Sequence, residues 1–72
     1  MPYDYSKLSG IIAEKFGTRG AFADKIGMSE RTLSLKMNGK VEWKQNEIYS
    51  ACQLLGITND QITDYFFAIK VQ

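Results

Sequence analysis

Between Phe22 and Lys40 the chain reads FADKIGMSERTLSLKMNGK, and its polar side chains recur there at helical spacing. Counted around a helix that starts at Ser29, the residues Glu30, Arg31, Ser34, Leu35 and Asn38 fall on one flank. Leu33 and Met37 fall on the other. A mostly polar flank on a helix held by two apolar anchors suits the DNA major groove. That groove is about as wide as one α-helix, and each base pair shows it a distinct pattern of donors and acceptors. Arg31 can offer a two-pronged donor to guanine. Glu30 can accept from cytosine N4 or orient Arg31, and Leu35 can touch a thymine methyl. A good bidentate base contact discriminates by roughly 1–3 kcal/mol, so Arg31 is expected to contribute most specificity. Ser29, Glu30, Arg31, Ser34 and Leu35 are therefore the residues expected to touch bases or a partner. Phosphates are expected at the backbone N–H groups near Thr18, at Arg19 and Asn38, and at Lys40 and Lys44.

The elements that must position this flank are all helical. Gly17, Gly27, Gly39 and Gly56 each follow an apolar run of helical period, and strand-like alternation is nowhere sustained. The pattern predicts one all-α domain over residues 1–72 with about five short helices. The first helix runs from near Tyr5 to Phe16, with Asp4 at its start and Leu8, Ile11, Ile12 and Phe16 facing inward. Thr18 caps the second, which buries Phe22, Ala23 and Ile26. Ser29 caps the third, where Met28 and Leu33 have the spacing of a hydrophobic staple. The two meet through Gly27 in a short turn, so residues 18–38 have the layout of a helix-turn-helix. Glu47 is placed to reach back to Lys44 at the start of the fourth, whose inner face is Ile48, Ala51, Cys52 and Leu55. Thr58 and Gln61 match a capping box for a C-terminal helix over about 59–69, with Ile62, Tyr65, Phe66 and Ile69 apolar. Trp43 is expected to pack between helices three and four, and Cys52 to be a buried, inert thiol.

Composition narrows the function further. The chain has 72 residues, one cysteine and no histidine, so an internal disulfide is excluded and a Cys/His zinc site is not expected. With no histidine base and no partnered nucleophile, an enzyme is not expected either, nor a cofactor or a small-molecule substrate. No apolar run approaches the roughly 20 residues that cross a bilayer, and MPYDYSKLSG does not read as a signal peptide. A lone cysteine then points to a reducing, cytoplasmic setting. Net charge is only +1, but residues 18–44 hold six cations against three anions, and residues 45–72 hold one cation against three anions. A basic middle and an acidic end point to a polyanionic partner for the middle segment.

The run TRGAFADKIGMSERTLSLKMNGK resembles the helix-turn-helix of phage Cro and CI-type repressors, the XRE-like group. WKQNEIYSACQLLGI is similar to their fourth helix, and ITDYFF resembles the ending of small lysis–lysogeny regulators from phages of Gram-positive bacteria. The resemblance covers about residues 5–67 and implies a lambda-repressor-like fold. It implies phosphate contacts at Thr18 and Arg19, base contacts at Glu30, Arg31 and Leu35, and a backbone contact at Asn38. The sequence departs from that pattern at Ala21, where a capping partner is common, and at Leu35, where DNA readers often carry a polar group.

Two functions fit these residues. The first is a Cro-like regulator binding operator DNA, as a homodimer on half-sites about 10 bp apart or a multiple of that. The second is a protein–protein modulator of the same fold, which docks on a cognate CI-type phage repressor and alters its DNA binding. Low net charge, Glu30 heading the exposed flank, Leu35 upon it and the acidic end suit the second. Phe67 and Val71 lie off the apolar stripe of the last helix, which suits a contact surface.

Overall fold

The computed structural model describes residues 3–70. Five α-helices follow in order: α1 (Ser6–Phe16), α2 (Arg19–Ile26), α3 (Glu30–Met37), α4 (Gln45–Leu55) and α5 (Ile62–Phe66), the last preceded by a 3-10 turn over Asn59–Gln61. The apolar stripes converge on one core, in which Leu8, Ile12, Phe22, Leu33, Leu55 and Phe66 are fully buried. α1 packs against α2, α4 and α5, while α2 is sandwiched by α3 and α4. Ile11, Phe16, Ile26, Met28, Trp43 and Ile48 close the margins of the core. No helix among the described residues is long and apolar enough to cross a membrane.

Local chemistry explains the boundaries. Asp4 accepts from the Ser6 N–H at 2.9 Å and the Ser6 hydroxyl at 2.6 Å, which anchors the entry to α1. Those bonds hold its carboxyl below the usual aspartate range. The Thr18 hydroxyl accepts from the Ala21 N–H at 3.1 Å, satisfying one of the free donors that open α2. The Ser29 hydroxyl does the same for Thr32 at 3.0 Å. Between them Gly27 turns the chain with φ of 86°, a left-handed geometry that a side chain would strain. Ala23 lies buried where α2 meets its neighbours.

Two features depart from the sequence expectation. The C-terminal helix does not run to residue 69. It ends at Phe66, and Ile69 forms an isolated antiparallel bridge with Tyr3, supported by a 2.7 Å bond from the Asp4 N–H to the Ala68 carbonyl. Continuing the helix would forfeit that pairing between the two ends of the fold. Ile69 therefore leaves the apolar stripe and is exposed, as is Phe67. Val71 lies outside the described residues.

The second departure is Lys36, counted in the sequence among the cations of the basic segment. It is only 2% exposed. Its Nζ donates to the Glu42 carbonyl at 2.9 Å and pairs with the Glu47 carboxylate at 2.8 Å. Burial of a lysine stem is favourable, but its charge must be met inside. Glu47 meets it and also accepts from the Lys44 N–H at 2.8 Å, starting α4 as its spacing predicted.

Candidate functional site

The flank of α3 is built by its inner anchors. Leu33 and Met37 are buried, so the helix is held with Glu30 and Arg31 exposed at its N-terminal end. Ser34 and Leu35 stand at the margin, half-buried. Ser29 is exposed, but its hydroxyl is engaged: it accepts from the Thr32 N–H and donates to the Thr32 hydroxyl at 2.9 Å. Its role is to start the helix. Arg31 has no ion-pair partner among the described residues and is the freest donor on this face.

Glu30 is not simply a free acid. Its Oε1 lies 3.3 Å from where a Cβ on Gly20 would stand, so its carboxylate rests against the first turn of α2. The opening turn of a helix carries partial positive charge and favours an anion. Glu30 stands beside that turn without capping it, since among the described residues no N–H of the turn donates to its carboxylate and the Ala21 N–H goes to Thr18. A side chain at position 20 would make the Glu30 carboxylate shift slightly, so Gly20 leaves room for this approach.

The residues expected at phosphates divide. Thr18 is exposed, with its hydroxyl oxygen used as the cap of α2. Lys40 and Lys44 are exposed. Arg19 is half-buried, and its Nη2 reaches the Ser9 hydroxyl at 3.5 Å, a long contact. Arg19 and Asn38 are brought together in the wall of one open groove of about 800 Å³, which Thr18, Lys40 and Lys44 do not line. Tyr3, Val41, Trp43 and Phe67 also line this groove. It was not apparent in the sequence, because it is formed by the two ends of the chain meeting the loop after α3.

Trp43 packs on the core with its ring edge-to-face on Phe66 at 5.1 Å, so its anchor includes α5. Its indole N–H is buried with no hydrogen-bond partner among the described residues. Cys52 is buried, and desolvation pushes its thiol above the ordinary range, consistent with an inert role. Among the described residues no cluster of acidic or thiol groups could hold a metal. Lys36 had a legible signal after all: it follows Leu33 by three residues and precedes Met37, which puts it on the inner stripe.

The fold has counterparts among known proteins. A family model described as "Protein of unknown function (DUF739)" matches residues 1–69. The chain belongs to this family. No curated protein matches it. Among solved structures, this DUF739 chain is similar to the modulator of repression (MOR) of the temperate bacteriophage TP901-1 from Lactococcus lactis, with 51% identity and a TM-score of 0.82. That match covers 100% of this chain and 97% of the other. The similarity to this phage protein therefore extends across the whole chain.

Proposed function

We propose that this protein is a phage-type switch regulator that acts mainly by docking on a repressor protein, with the flank of α3 as a contact surface. The observation that carries the reading is the Glu30 carboxylate resting against Gly20 at the head of α2. In the Cro and CI-like pattern that helix start meets a DNA phosphate. A carboxylate beside that turn repels phosphate and offsets part of the turn's attraction for an anion. Lys36 points the same way. Its charge is neutralised internally by Glu47, so the basic segment offers five exposed or half-exposed cations rather than the six in the sequence. DNA affinity depends on cations that displace counterions, and few are available here. The structural relative named as a modulator of repression supplies the class of partner.

Contact with operator DNA is the second reading, favoured by the exposed and unpaired Arg31 on the open side of α3. A salt titration separates the two. Purified protein is titrated onto candidate operator DNA alone, then with the cognate repressor present. Docking predicts no site-specific binding by the isolated protein and a stable complex with the repressor. Arg31→Glu and Leu35→Asp are expected to weaken that complex at least 10-fold, with circular dichroism confirming that both variants fold. Site-specific DNA binding by the protein alone, falling steeply with salt and lost in Arg31→Ala, would overturn it.

A further inference from the structure

The groove at the meeting point of the chain ends meets the flank of α3 only at Asn38 and includes none of Glu30, Arg31, Ser34 or Leu35. Tyr3, Val41 and Phe67 on its rim are 41%, 42% and 43% exposed. Tyr3 and Phe67 pack edge-to-face at 5.8 Å, and Tyr3 lies 6.3 Å from Tyr5, so the wall is an aromatic cluster with one side uncovered. The terminal bridge from Tyr3 to Ile69 fixes that wall in place.

Within the same groove stands Arg19, half-buried, with no carboxylate at ion-pairing distance among the described residues. A guanidinium drawn partly out of water gains from an acceptor fork, and its long contact with Ser9 does not supply one. Two carboxylates, Asp4 and Glu42, and the exposed Lys70 line the groove as well. Asp4 already accepts twice from Ser6, and Glu42 is exposed. With Asp4 and Glu42 offsetting Arg19 and Lys70, the groove lacks the cation surplus that holds a run of phosphates, whereas a single carboxylate can reach Arg19. Exposed aromatic and aliphatic side chains on the rim call for apolar surface rather than a nucleic-acid backbone.

We infer that this groove is a second docking site, taking from a partner protein a bulky apolar side chain flanked by a carboxylate. The apolar group covers Tyr3, Val41 and Phe67, and the carboxylate pairs with Arg19. This goes beyond the contact proposed on α3, and it rests on that reading only in taking the repressor as the protein that supplies the segment.

The single tryptophan of the chain, Trp43, lines the groove and reports on it. The protein is labelled with 5-fluorotryptophan and titrated with unlabelled cognate repressor, and affinity is measured for wild type, Arg19→Glu, Phe67→Ser, Arg31→Glu and Leu35→Asp. Phe67 is exposed, and melting curves check that its variant folds. The expected result is a shift of the one fluorine resonance on binding. Arg19→Glu and Phe67→Ser should each lose at least 10-fold in affinity, and one acid-to-lysine exchange in the repressor should restore binding to Arg19→Glu. A complex that forms normally with Arg19→Glu and Phe67→Ser, but fails with Arg31→Glu or Leu35→Asp, overturns the groove and leaves the α3 contact standing. Absence of any complex overturns both. Self-association in sedimentation that Phe67→Ser abolishes, or DNA affinity of the isolated protein that Arg19→Glu abolishes, assigns the groove to another occupant and overturns the inference.

Discussion

Lys36 and Glu47 show how one pair of charges can sit at different depths. The lysine is almost wholly buried, while the glutamate side chain keeps 20% of its surface in water. Removing the two partners therefore has unequal consequences. Glu47→Ala strands a buried ammonium with only the Glu42 carbonyl and is expected to cost about 3 kcal/mol. Lys36→Met removes the buried charge and leaves a carboxylate that can hydrate, so a loss of about 1 kcal/mol or less is expected. Urea unfolding of the two variants checks the asymmetry. Partial desolvation raises the Glu47 pKa, but hydrogen bonds from Lys36 and the Lys44 N–H, with both lysine charges, outweigh it and hold the carboxyl below its ordinary value of 4.5. Its stabilisation is thus complete above the unfolded value and is lost as pH falls through the lower, folded one. Unfolding midpoints measured downward from pH 6 should decline below about pH 4.5, and Glu47→Gln should flatten that decline. Half of this site was legible in advance. Glu47 reaching back to Lys44 follows from a spacing of three, whereas its pairing with Lys36 crosses a loop and follows from no local rule.

Among the elements, those closed by local chemistry were the readable ones. Thr18 and Ser29 start α2 and α3 through bonds within four residues, and Gly27 separates them, so sequence spacing alone locates both helices. Ser29→Ala should cost about 1 kcal/mol, read as a fall in the urea midpoint with no change in slope. Because the Ser29 hydroxyl is engaged within its own helix, the same variant should bind the repressor with unchanged affinity once folded. α5 was overextended for the opposite reason. Ile62, Tyr65, Phe66 and Ile69 keep a helical period, yet Ile69 is claimed by Tyr3, some sixty-six positions earlier in the chain. A periodicity argument sees only neighbours. The groove was missed for the same reason, since Tyr3, Val41 and Phe67 belong to three distant stretches and only the closed fold brings them side by side.

For the whole molecule, a chain of this length is held by about 4–11 kcal/mol, so one core residue represents a large share. Phe66 sits on the last helix yet is among the most buried side chains, touching Trp43 edge-to-face. Phe66→Ala is expected to cost about 3–5 kcal/mol, enough to leave a substantial unfolded population at 37 °C by circular dichroism. The overall plan, one all-helical layer of short rods around a shared core, was legible because buried positions repeat every three or four residues. How the surface divides between DNA and protein was not, since the sequence counts charges without saying which are already neutralised. The late position of Phe66 and the Tyr3–Ile69 bridge also bear on synthesis. The segment from Phe66 to Ile69 supplies both the central plug and the clasp, so a nascent chain with those residues still inside the ribosome lacks the step that closes the fold. Nascent chains stalled before Phe66 emerges should be cut readily by protease and become resistant once Ile69 has cleared the ribosome; resistance while stalled would mean that the first four helices consolidate without their plug.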